Sequence, residues 1–97
     1  MPTKPARPHG KCDRGIYVNV EWRRPDGGAD VTGYVIKYLD EYTRENDFTI
    51  VKVVGDTTNF TFTDQLKEGT KYRFAVAADN TEFSEFSDYV STGSGKH

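Results

Sequence analysis

Apolar and polar residues alternate along most of the chain, and the dominant period is two. Ile16, Val18, Val20 and Trp22 alternate with Tyr17, Asn19 and Glu21, so one face is apolar and ends on the only tryptophan. Tyr34, Ile36 and Tyr38 alternate with Val35, Lys37 and Leu39 in the same way. Phe48, Val51 and Val53 lie in a β-branched run, Phe60 and Phe62 flank Thr61, and Tyr72, Phe74, Val76 and Ala78 alternate with Arg73, Ala75 and Ala77. With a short strand around Lys11 and a last one near Asp88 to Thr92, the pattern predicts seven strands. Turn chemistry separates them at Pro25-Asp26-Gly27-Gly28, Asp40 to Asp47, Gly55-Asp56, Lys67-Glu68-Gly69 and Asp79-Asn80.

Short strands at spacings of about ten residues, each with one apolar face, predict an all-β, seven-stranded sandwich of two antiparallel sheets. Residues 1–9 are expected as an extended lead-in, 10–92 as the domain and 93–97 as a flexible tail or linker. The expected core is Val18, Val20, Trp22, Tyr34, Ile36, Phe60, Phe62, Leu66, Tyr72, Phe74 and Val76.

Length and charge narrow the function. A chain of 97 residues is one small domain, in which a deep catalytic cleft is hard to build. Thirteen basic against fifteen acidic side chains is too balanced for a nucleic-acid footprint or a polybasic membrane anchor. Cys12 is the only cysteine, so no internal disulfide is possible. No apolar run approaches a membrane span, and no signal peptide is expected, because Lys4, Arg7, Lys11 and Arg14 have no apolar stretch behind them.

Candidate chemistry does not converge. His9 and Cys12 offer two metal ligands without a second pair, and Cys12 has no positioned base besides His9. Gly93-Ser94-Gly95-Lys96 imitates the end of a phosphate loop, but Val90 stands where that motif needs glycine. Asp26 and Asp30 lack the alternating spacing of a calcium loop, and Asp40, Glu41, Glu45 and Asp47 fit a solvated loop. Arg14-Gly15-Ile16 is not an integrin tripeptide. No enzyme activity, cofactor, metal or small-molecule substrate is therefore expected. Asn59-Phe60-Thr61 is a legal N-glycosylation sequon whose Asn59 faces outward if Phe60 faces inward.

Three features together resemble the fibronectin type III domain over about residues 5 to 92. They are Trp22 ahead of a Pro-containing turn, Gly33-Tyr34-Val35-Ile36-Lys37-Tyr38, and the Leu66 to Tyr72 spacing of a tyrosine corner. The resemblance implies that the Tyr72 hydroxyl bonds backbone a few residues upstream. Two departures concern loops: one extra residue between Phe62 and Leu66, and Phe83-Ser84-Glu85-Phe86-Ser87 in place of the usual Gly and Pro before the last strand.

Asp26 to Tyr34, with Glu68-Gly69, resembles domains of giant muscle proteins of the titin and twitchin type, which implies a cytoplasmic structural array. Phe83-Ser84-Glu85-Phe86-Ser87 resembles, with Phe for Trp, the aromatic-Ser box of cytokine-receptor domains. There the rings stack on cations of the neighbouring strand, and Arg73 is the only arginine on that face. This second resemblance points to an extracellular or cell-surface module binding a protein ligand.

Many relatives bind through loops at one end of the sandwich, here residues 23–31, 55–58 and 80–85. The candidate contact residues are Arg23, Arg24, Asp26, Asp30, Glu82, Phe83 and Glu85, with Phe83 either a loop-tip anchor or a cover for the sandwich end. Residues 1–24 hold six basic and two acidic side chains, whereas Asp79, Glu82, Glu85 and Asp88 stand alone in 79–92. This asymmetry could orient neighbouring modules through a salt-screened contact. The expected role is a non-catalytic module, monomeric in isolation, whose partners are adjacent domains of its own chain and an unidentified protein.

Overall fold

The computed structural model describes residues 4–13, 17–25, 31–44, 46–67, 69–80 and 82–93, with backbone alone at Asp13 and Glu82. The strands are β1 (His9–Asp13), β2 (Tyr17–Glu21), β3 (Gly33–Asp40), β4 (Thr49–Val54), β5 (Asn59–Phe62), β6 (Lys71–Asn80), β7 (Glu82–Phe83) and β8 (Val90–Gly93). The fold is the expected antiparallel sandwich, and the seven expected strands are all present. The eighth element, β7, is a two-residue return onto the end of β6 that alternation cannot announce. The last strand begins at Val90 rather than near Asp88. Ile16 lies outside the described residues.

One sheet has the order β1-β2-β5; the other has the order β4-β3-β6-β7, with β8 also paired to β6. The core forms where their inner faces meet. Val18, Val20, Trp22, Tyr34, Ile36, Tyr38, Phe62, Tyr72, Phe74, Val76 and Ala78 are buried in one cluster, with Phe60 and Leu66 packed at its margin. Edge-to-face contacts order its rings: Trp22 on Tyr34 at 5.2 Å between centroids, and Tyr38 on Phe62 at 5.0 Å.

Two local features hold the ends. The Lys67 N–H donates to the Tyr72 hydroxyl at 2.7 Å, which makes the tyrosine corner. At the other end, Gly33 lies so close to β4 that an added Cβ would stand 2.8 Å from the Val53 carbonyl oxygen.

One expectation needs correction. The alternation in β3 implies a half-buried strand, yet Val35 and Leu39 on its outward face are 1% and 4% exposed. Lys37 lies between them under the rings of Phe86 and Tyr89, and β6 contributes buried Ala75 and Ala77 beside them. Both faces of the central strand are covered.

Candidate functional site

The outward face of the five-stranded sheet is built by the stretch from Phe83 to Tyr89. β8 reaches only Lys71 to Phe74 of β6, and β7 reaches only Asp79 and Asn80. Between them the backbone of β6 would lack partners. Ser84 and Ser87 fill the gap: their N–H groups donate to the Ala78 and Val76 carbonyls, and their hydroxyls accept the Ala78 and Val76 N–H at 2.9 and 3.0 Å. Each hydroxyl then donates to the next carbonyl, of Glu85 or Asp88.

With the serines turned inward, the aromatic residues between and after them lie over the sheet. Lys37 Nζ stands 4.5 Å from the Phe86 ring centre, 5.0 Å from Phe48 and 5.1 Å from Tyr89. Arg73 stacks on the other side of the series, 5.1 Å from Tyr89, and Lys52 lies 5.9 Å from Phe83. The attraction of a cation to the face of a ring makes this a ladder across three strands. From sequence, Arg73 was the only visible rung. Lys37, Lys52, Phe48 and Tyr89 were missed because their approach depends on strand order, although lysine at alternate outward positions was a usable signal.

Phe83 is therefore not a loop-tip residue and does not cap the sandwich. It pairs with Asp79 in β7, and its half-exposed ring lies beside Lys52. Glu85 is exposed on the same stretch, and of Glu82 only the backbone is described.

Arg23 and Arg24 are exposed just after β2. Arg24 pairs with Asp56 in a close ion pair, and Asp56 accepts the Tyr34 hydroxyl at 3.1 Å. Burial, and then the adjacent Asp56 carboxylate, push the Tyr34 phenol up to about 12. The Trp22 N–H to Thr58 carbonyl bond ties the same two loops together. The structure thus joins Arg24 to the 55–58 loop, whereas Asp26 and Asp30 lie outside the described residues.

The charge asymmetry has an internal outlet. Lys4 and Arg7 approach Asp88 at 3.9 and 3.7 Å, and Pro5 and Pro8 are buried behind them. The basic lead-in therefore meets the acidic stretch within the domain, through exposed pairs of small energetic worth.

His9 and Cys12 are three residues apart on β1, so their side chains leave opposite faces. Among the described residues no group of three or more His, Cys, Asp or Glu is placed to hold a metal. Asn59 is exposed on β5, and its neighbour Thr61 accepts a hydrogen bond from Asn19 at 2.9 Å.

The sequence model of the fibronectin type III domain matches residues 8–93. The solved FN1-FN3 domains of chicken CNTN1 share the fold with a TM-score of 0.85 at 22% identity, over 99% of this chain and 31% of that one. A segment of titin gives a TM-score of 0.81 at 24% identity, over 99% of this chain and 33% of that one. The FN5 domain of Drosophila Lar gives 0.77 at 23% identity, over the whole of both chains. The chain spans about a third of the length of the CNTN1 and titin chains.

Proposed function

The chain belongs to the fibronectin type III family, and on that premise we propose that it is a non-catalytic module of a larger protein, serving as spacer and protein-interaction surface. The path of the chain carries this reading. β1 starts with His9 opposite Glu21, at the end that holds Trp22, Arg24 and Asp56. β8 finishes with Gly93 opposite Lys71, at the end of the tyrosine corner. A polypeptide that enters one end and leaves the other can be strung in series with its neighbours. The test is small-angle scattering on this domain flanked by its natural neighbours. The expected result is a maximum dimension that grows by about one domain length when it is present, and a folded-back arrangement of unchanged length would overturn the reading.

The finer setting we favour is an array of muscle type, supported by the resemblance of residues 26–34 to such domains and by the fold shared with titin. A second reading, an extracellular adhesion or receptor module, is supported by exposed Asn59 in its sequon. A glycosidase-sensitive mass on Asn59 in the natural protein would decide for the second. An unmodified Asn59 beside intracellular neighbouring domains would decide for the first.

A further inference from the structure

The sandwich has open edges, and it treats them differently. An unpaired strand edge is a template for another chain, which proteins normally blunt with brevity, proline, bulges or charge. β5 has four residues and turns polar Asn59 and Thr61 outward. β1 follows buried Pro5 and Pro8, and its Gly10 lies against Thr92 of β8. β4 has six residues, an unbroken register with β3 from Thr49 to Val54, and neither glycine nor proline.

The phase of the ladder shows what β4 offers. The Gly55 N–H donates to the Thr32 carbonyl. Partners that exchange hydrogen bonds alternate in an antiparallel pair, so Thr49, Val51 and Val53 spend their backbone groups on β3. The N–H and C=O of Ile50, Lys52 and Val54 therefore face away from the sheet. The side chains of these same three residues are exposed, Ile50 at 45% and Val54 at 88%, while Val51 and Val53 pack on the core. Phe48 precedes them on the same outward side, and the Lys52 side chain reaches across the sheet toward Phe83 of β7. Three of the six exposed large apolar residues among those described, Phe48, Ile50 and Val54, thus border one edge.

We propose that β4 is a docking edge for an extended segment of a partner protein, which adds as a further strand and places a carboxylate opposite Lys52 between apolar residues opposite Ile50 and Val54. Charge selects this occupant. The outward side chains of β3 and β4 are Gly33, Val35, Lys37 and Leu39, and Ile50, Lys52 and Val54, a set with two lysines and no acid. A second copy pairing β4 with β4 brings no carboxylate to Lys52, and a two-fold centred on Lys52 sets the two lysines against each other. An acidic residue at the central position of the incoming strand meets both demands, while main-chain bonds supply affinity. Such an edge acts whichever array holds the domain.

The test titrates the isotope-labelled domain with a blocked heptapeptide, Thr-Val-Thr-Glu-Thr-Val-Thr, and follows amide shifts and hydrogen exchange. Saturable shifts, with new protection at the Ile50, Lys52 and Val54 amides, are expected. Replacing the peptide Glu by Lys should weaken binding about three- to fivefold, the change carried by an exposed ion pair. Lys52→Glu should reverse that preference, and Ile50→Pro, which removes an outward N–H, should abolish binding. Because the proline variant risks misfolding, the charge swap at exposed Lys52 stands as an independent arm. No saturable shift at millimolar peptide, shifts away from β4, or binding indifferent to both charge changes would overturn the proposal. Concentration-dependent protection of the edge without peptide would assign it to a second copy, and overturns it equally.

Discussion

Ser87 satisfies both backbone groups of Val76: its N–H donates to the Val76 carbonyl at 2.8 Å, and its hydroxyl accepts the Val76 N–H at 3.0 Å. Ser84 repeats the arrangement at Ala78. A serine side chain thus takes the place of a strand partner along β6. Removing the hydroxyl leaves a buried donor unpaired, so Ser87→Ala should cost about 1–3 kcal/mol in urea melts. An unchanged melt would show that solvent reaches Val76.

Lys37 sits under three rings, and its charge rather than its stem should matter. Lys37→Met keeps the apolar length and removes the cation, with an expected loss of about 1–2 kcal/mol. A double-mutant cycle with Phe86→Leu should show coupling between the two sites. Additive effects would reduce the ladder to ordinary packing.

The tyrosine corner rests on one hydrogen bond. Tyr72→Phe keeps the ring and strips the acceptor from the Lys67 N–H, which should cost about 1–2 kcal/mol with little change in the native spectrum. Thermal or urea unfolding measures it.

Trp22 is 5% exposed and packs edge-on against Tyr34. Trp22→Ala should cost about 3–5 kcal/mol, the range for a truncated buried aromatic. A loss under about 1 kcal/mol would remove Trp22 from the core.

Alkaline stability should report on Tyr34. Folding raises this phenol from its ordinary 10.0 to about 12, by burial first and by Asp56 second. The folded state therefore holds the proton more tightly. Its stabilising effect is complete below pH 10 and is lost as pH climbs from 10 to about 12. Tyr34→Phe should flatten the stability decline across that window, measured by urea midpoints at successive pH values.

Much of the sandwich was legible because strand alternation is local. Val18, Val20 and Trp22 share a face by their spacing alone, and the family resemblance carried by Leu66 and Tyr72 implied a corner whose bond the fold makes. The candidate surface was less legible. Phe83 read as either a loop-tip anchor or a cover for the sandwich end, because two residues of β7 leave no periodic trace. The place of Lys37 under three rings was not legible, because Phe48, Phe86 and Tyr89 are distant in the chain.

By itself, the sequence determined which side of each strand is apolar and where turns interrupt it, since both follow from neighbouring residues. Tertiary structure alone decided which strands end up at an edge, which serines meet unpaired β6 amides, and which lysines meet rings. Those outcomes depend on the order of strands in a sheet. That order is set by contacts between residues far apart along the chain, on which a period of two is silent.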